Sequence, residues 1–259
     1  GKWKVEEAAP EIERLFRNGK SAWLRGRAMR AMALARGEGV AAIARSAAED
    51  EAPVLRRAAL ETLDLLGVEV SAPVAEKLLA DENLSVRSLA ASLYARHFPD
   101  KAWPVVDGLT KPEAGPVSGD LLRALAHVGS EDALDRLETL FDGGEEGGRF
   151  RRSVVEALSV ADDRAVPLLT RLTARHAPQE AAFRVGRELL GERDQAALSK
   201  ALLELLDVAS SAHLGNLATL AAEVCPTSEL GDALARAWTV RDNLPPPIVR
   251  AGMAALGKI

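Results

Sequence analysis

The sequence predicts an all-α fold, a right-handed α-solenoid of about eight stacked helix–turn–helix repeats. Two observations carry that expectation: a composition dominated by Ala and Leu, and a short motif that returns at a fixed offset. Hydrophobic residues make up 47% of the 259 residues, yet aromatics supply only 4%. Ala and Leu favour helix, and β-branched runs bounded by turns are scarce. Small Ala side chains let helices approach closely but bury little area each, so the core must be assembled from many modest contacts.

The offset is 31 residues. Leu24-Arg25, Leu55-Arg56 and Val86-Arg87 lie that far apart, each followed by an Ala-rich helical stretch, and Asp50 and Asp81 precede the second and third at the same separation. Gly67, Gly129 and Gly191, which close such stretches, are 62 residues apart, and Gly257 follows after 66. Each period divides into two helical patterns. In the third, Ser71 stands where an N-cap belongs, with Pro73 in the first turn and Val74, Ala75, Leu78 and Leu79 as one stripe. The turn from Asp81 to Ser85 then leads into Val86, Leu89, Ala90 and Leu93. Further along, Ser130 precedes Glu131 and Asp132, the caps expected of a helix whose apolar side is Leu134, Leu137, Leu140 and Phe141. Prolines 53, 99, 104, 167, 178 and 226 fall near expected helix starts or turns, where a missing N–H costs least.

On this reading the second helix of each pair begins near Leu24, Leu55, Val86, Gly119, Arg149, Gln179, Ala212 and Pro247. Residues 1–259 then form a single repeat domain with no room for strands. One pair cannot bury its own apolar stripe, so neighbours must stack. Eight layers at roughly 8–10 Å each give a curved rod on the order of 70–80 Å long.

The motif Asp81-Glu82-Asn83-Leu84-Ser85-Val86-Arg87-Ser88-Leu89-Ala90-Ala91-Ser92-Leu93 resembles the acidic turn, Val-Arg and Ala-x-x-x-Leu pattern of HEAT repeats, of the short kind found in phycobilin lyases. Residues Asp50 to Leu63 match nearly as well. The first repeat keeps Leu24, Arg25 and Ala28 but has Gly19 in place of the Asp, and repeats four to eight keep only the periodicity. The resemblance implies that Asp50, Arg56, Asp81 and Arg87 form an Asp–Arg ladder across stacked turns, fixing repeat register. Similar Ala/Leu/Arg-rich HEAT-like stretches occur in large bacterial proteins that also carry propeller or c-type haem domains. Together with Gly1 in place of Met, this makes the chain an expected module of a larger protein, cytoplasmic, or periplasmic if the whole is exported.

Few residues point to catalysis. His97, His127, His176 and His213 lie in four different repeats, none with a second ligand at metal-binding spacing. Cys225, the single cysteine, has no neighbouring His and directly precedes Pro226. It excludes an internal disulfide and reads as a buried thiol. The stretch from Asp142 to Gly148 is glycine-rich and acidic, and without a following Lys-Ser or Lys-Thr it is a turn rather than a phosphate loop. No catalytic residue, cofactor or metal is expected, and no apolar run is long enough to cross a membrane.

Charge is unevenly distributed. Residues 1–36 carry nine Lys and Arg against four Glu, or +5, while the whole chain is −5, so the remainder is −10. The acidic total argues against nucleic acid as the partner. The expected function is that of a non-catalytic protein-interaction scaffold or adaptor. Its partner, a protein or a neighbouring domain of the same chain, would bind along the face of the second helices or at the basic N-terminal cap. Candidate contacts are Arg17, Lys20, Arg27 and Arg30 at the cap, where Trp3 and Trp23 either cover the first apolar stripe or stand half exposed and add to the surface. Arg57, Glu61, Asp64, Ser88, Ser92, Arg123 and Arg152 are the exposed polar positions expected along the face. The alternative is a HEAT-like enzyme or nucleic-acid-processing protein, comparable to a DNA glycosylase or a bilin lyase.

Overall fold

The computed structural model describes residues 5–143, 147–240 and 244–258. Lys2, Trp3 and Lys4 of the basic cap, and residues 144–146 of the acidic glycine stretch, lie outside them. Among the described residues the protein is all-α, with sixteen α-helices and no strand. No helix is long and apolar enough to cross a membrane. The chain forms two compact units, Gly1–Val128 and Gly129–Ile259.

The first unit contains α1 (Val5–Asn18), α2 (Ala22–Arg36), α3 (Ala41–Ala47), α4 (Pro53–Leu66), α5 (Val68–Leu78), α6 (Leu84–His97), α7 (Pro99–Leu109) and α8 (Gly119–Val128). Consecutive helices pair as α1/α2, α3/α4, α5/α6 and α7/α8, and the second helices also pack on one another in the order α2, α4, α6, α8. The reason is visible in the side chains. At Gly26 of α2 an added Cβ would stand 2.6 Å from the Cβ of Ala58 on α4, so glycine lets the two helices close. Met29, Met32, Leu55, Leu60, Leu63 and Leu93 fill the space between layers and are fully or nearly fully buried.

Local signals explain where these helices start and stop. Pro53 occupies the first turn of α4, where its missing N–H costs nothing. Asn83 caps α6 by accepting from the Ser85 and Val86 N–H groups. Gly67, which separates α4 from α5, has φ of 116°, a conformation open to glycine and strained for any other residue. The expected start of α5 at Ser71 is three residues late. The Ser71 N–H already donates to the Gly67 carbonyl at 3.2 Å, so Ser71 is inside the helix and Pro73 lies in its interior. The Ser71 hydroxyl meets His97 Nε2 at 3.0 Å instead of capping.

The second unit contains α9 (Glu131–Gly143), α10 (Gly147–Ala157), α11 (Val166–Ala174), α12 (Ala181–Gly191), α13 (Gln195–Val208), α14 (Ser211–Val224), α15 (Ser228–Thr239) and α16 (Pro246–Leu256). Here α10, α12, α14 and α16 pack in succession, and α9, α11, α13 and α15 pack on each other alongside. Ser130 accepts from the Ala133 N–H at 3.3 Å and starts α9, with Glu131 and Asp132 in the first turn. Second helices in both units begin within two residues of the positions expected from the sequence.

Gly186 shows how closely α12 approaches α11: a Cβ there would overlap the Thr173 side chain, whose hydroxyl is buried and donates to the Leu169 carbonyl. Gly186→Ala gains about 1 kcal/mol in helix propensity but forces overpacking that costs about 1–3 kcal/mol. The expected outcome is a lowered melting temperature in spite of the better helix former. Thr173→Ala in the same background recovers most of the loss, and a double-mutant cycle by thermal melts measures that coupling.

Candidate binding site

The most regular polar feature of the first unit is a ladder of guanidinium groups from α2, α4 and α6 crossing the turns before α4 and α6. Asp50 and Asp81 each close an Asx-type turn, accepting from the N–H two residues on, Ala52 at 2.9 Å and Asn83 at 2.8 Å. The other carboxylate oxygen receives an arginine from the preceding pair, Arg25 to Asp50 at 3.2 Å and Arg56 to Asp81 at 2.7 Å. Arg56 also donates to the Asp50 and Glu51 carbonyls of its own turn, and Arg87 does the same to Asp81 and Glu82. The charged partner of Arg25 and of Arg56 is therefore the aspartate 25 residues later, while Asp50 and Asp81 offer only a backbone carbonyl to the arginine of their own turn, Arg56 and Arg87.

The second rung is closed to water. The Arg56 side chain is 9% exposed and that of Asp81 4%, against 32% and 25% for Arg25 and Asp50. Burial pushes the Asp81 carboxyl up. Hydrogen bonds from Arg56 and the Asn83 N–H, with the fields of Arg56 and Arg87, outweigh it and hold its pKa below the ordinary value.

Beside the ladder, α2 and α4 enclose an open groove of about 460 Å³. Its floor is Gly26, Ala31 and Ala58. One wall is Trp23, Arg27, Arg30 and Leu34 of α2, residues spaced to share a helix face, and the other is Val54, Arg57 and Glu61 of α4. Trp23 is 59% exposed, Leu34 72% and Val54 50%. The Arg27 guanidinium lies over the Trp23 ring, 5.0 Å from its centroid. Arg30 is 3.5 Å from Glu61, which also faces Arg57 at 3.3 Å. Arg57 donates to the Ser85 carbonyl at 2.8 Å and meets Asp120 at 2.8 Å.

The structure thus brings together four of the sequence-expected residues, Arg27, Arg30, Arg57 and Glu61. Others are placed apart. Arg17 ends α1, ion-paired to Glu13, and Lys20 is exposed in the turn before α2; neither lines the groove. Asp64 is bound by Arg96 of α6, and Arg123 by Asp120 within α8. Arg152 is exposed and pairs with Glu156 of its own helix in the second unit. Ser88 and Ser92 were expected to be exposed and are buried. Four helices, α4, α5, α7 and α8, pack around α6, and both faces of it are covered. The Ser88 hydroxyl satisfies itself on the Leu84 carbonyl at 2.7 Å. Helical phase had no signal for Asp120, the buried carboxylate that organises Arg57 and Arg123.

A second depression, of about 310 Å³, lies in the second unit between Arg171, Arg175, Leu205, Val208, His213 and Leu217. Its arginines are already neutralised, Arg171 and Arg175 by Glu138 and Arg175 also by Asp142. The remaining chemistry-bearing side chains are dispersed. Burial, then Arg96, Arg123 and His97, lower the His127 pKa to about 4. His176 is buried, meeting Glu180 at 2.9 Å and the edge of Phe141. Cys225 is buried, and burial pushes its thiol up, which disfavours the nucleophilic thiolate. Among the described residues, no three of His, Cys, Asp and Glu converge as a metal site.

Two measurements check the electrostatics. Arg56→Ala strands the buried Asp81 and is expected to cost about 3 kcal/mol, whereas Arg25→Ala, at the exposed rung, costs about 0–1 kcal/mol. Because the folded pKa of Asp81 is depressed, its contribution is present above its unfolded pKa of about 4 and is lost below it. Denaturant titrations should therefore show the gap between wild type and Asp81→Asn shrinking as pH falls from 5 to 3.

His127 titrates in a different window. Its folded pKa lies below the unfolded value near 6.5, so the unfolded chain binds the extra proton between about pH 4 and 6.5. Stability rises with pH across that interval and is flat above it, and His97, lowered by burial and Arg96, acts in the same direction. In His127→Gln the rise measured by thermal melts should be smaller; an identical rise would assign it to other groups. The chain matches no protein-family model and no curated protein sequence.

Proposed function

We propose that the protein is a non-catalytic interaction scaffold of HEAT-like helix pairs, four in each unit, that binds a protein partner on the face of its second helices. The observation that supports this reading most directly is the groove between α2 and α4. There, exposed Trp23, Leu34 and Val54 stand beside Arg27, Arg30 and Arg57 on adjacent parallel helices. Trp and Arg are the side chains most often found carrying interface energy, and stacked helix pairs bind through such continuous faces. The buried ladder supports a structural role for Asp50, Arg56, Asp81 and Arg87, since its donors and acceptors are spent on the protein itself. The paired arginines and the dispersed histidines favour binding over catalysis.

The test is affinity capture with the full chain, followed by hydrogen exchange on the captured complex. Protection is expected on α2 and α4, which line the groove. Protection confined to α1, α3, α5 and α7, or a partner turned over chemically, would overturn the reading.

A further inference from the structure

We propose that the groove between α2 and α4 docks a segment of a separate protein in which acidic residues are flanked by large apolar ones. This rests on the interaction-scaffold reading and adds the chemistry of the partner.

The two helices run in the same direction and in register, because Gly26 approaches Ala58 and Arg30 pairs with Glu61 further along both. The groove therefore has an order along its length. Trp23 and Val54 make an apolar entrance, Arg27, Arg30 and Arg57 a basic middle, and Leu34 an apolar exit. Three guanidinium groups face one carboxylate, Glu61, which two of them already share. Arg57 is further committed to Ser85 and Asp120. Among the described residues Arg27, by contrast, meets the Trp23 ring alone, which occupies one face and leaves its N–H edge open to an incoming carboxylate. Arg30 reaches Glu61 at 3.5 Å, longer than the roughly 2.7–2.9 Å of a strong charge-assisted bond, so it too retains donors.

The apolar ends decide between ligands. A phosphate chain would satisfy the arginines but set nothing against Leu34 and Val54. An apolar helix would cover those ends and leave Arg27 and Arg30 desolvated without partners, which is costly. A segment with both chemistries satisfies the whole groove. From Trp23 to Leu34 is eleven residues of helix, about 16 Å. An extended segment at roughly 3.3 Å per residue spans that in about five residues, so the apolar pair should be separated by about that number with Asp or Glu between.

The experiment is a selection of random peptides displayed on phage against the full chain at low salt. Recovered peptides are then measured by fluorescence anisotropy against wild type, Arg27→Glu/Arg30→Glu and Leu34→Ser. These residues are exposed, and circular dichroism melts confirm that the variants fold. Enrichment of Asp or Glu between Leu, Ile, Phe or Trp is expected, with affinity about tenfold or more weaker in both variants. Neutral or basic recovered sequences, or equal binding to the groove variants, would overturn the proposal while leaving the scaffold reading to stand on its exchange map. Two further results would also overturn it: tighter binding of a random oligonucleotide at the same residues, or wild-type self-association abolished by the groove variants. Recovery of no peptide together with no captured partner would remove both readings.

Discussion

Close approach between second helices is the constraint on which the first unit depends. Aromatic residues are too few to fill wide gaps, so layers must come together on small side chains, as at Gly26 against Ala58. Once backbones are that near, the long side chains beside the seam are driven outward. Trp23, Arg27, Arg30 and Leu34 stand up on one side and Val54, Arg57 and Glu61 on the other, and a groove results. Core and candidate site are thus two faces of one packing decision. Close packing also covers α6, where Ser88 and Ser92 sit buried among four neighbouring helices.

Charge is arranged in two styles that differ in what they leave over. In the ladder, Arg56 satisfies the carbonyls of its own turn and the carboxylate of the next, and little of its capacity is left over. Around Glu138 in the second unit the same is true, with Arg171 and Arg175 converging on one carboxylate and Arg175 reaching Asp142 as well. In the groove the sum does not close, and positive charge remains beside exposed apolar surface. Electrostatic complementarity mainly sets encounter rate and selectivity, whereas desolvated anchors set lifetime. A groove holding both has the means for each.

Helix positions were legible in the sequence because their signals are local: Pro53 in a first turn, Ser130 before two acids, Gly67 where φ must be positive. The start of α5 was not, since Ser71 has the chemistry of a cap and only its buried contact with His97 shows that it does another job. The charge excess of residues 1–36 drew attention to Arg27 and Arg30, which line the groove. Periodicity could not show that Arg57 joins them while Arg17 and Lys20 stand apart, because that depends on which helices meet. Burial of Ser88 and Ser92 escaped for a related reason: phase names a face, and tertiary packing decides what covers it. Asp120 carries no distinguishing local pattern, and its importance lies entirely in the arginines brought to it.

The ladder also acts as a ruler for the chain. A rung forms only if the aspartate arrives 25 residues after its arginine, so any insertion between them would pull the carboxylate out of reach. Second helices begin at residues 22, 53 and 84 where rungs exist, at a constant interval of 31. Twenty-five residues beyond Arg87 stands Pro112, which offers no carboxylate. From there the starting points fall at 119, 147, 181, 211 and 246, with intervals of 35, 28, 34, 30 and 35. Loops in this part of the molecule can change length without breaking a rung of the ladder, and variation in the protein's evolution would be absorbed there, leaving the rung-bearing part with fixed spacing and the groove beside it with a fixed shape.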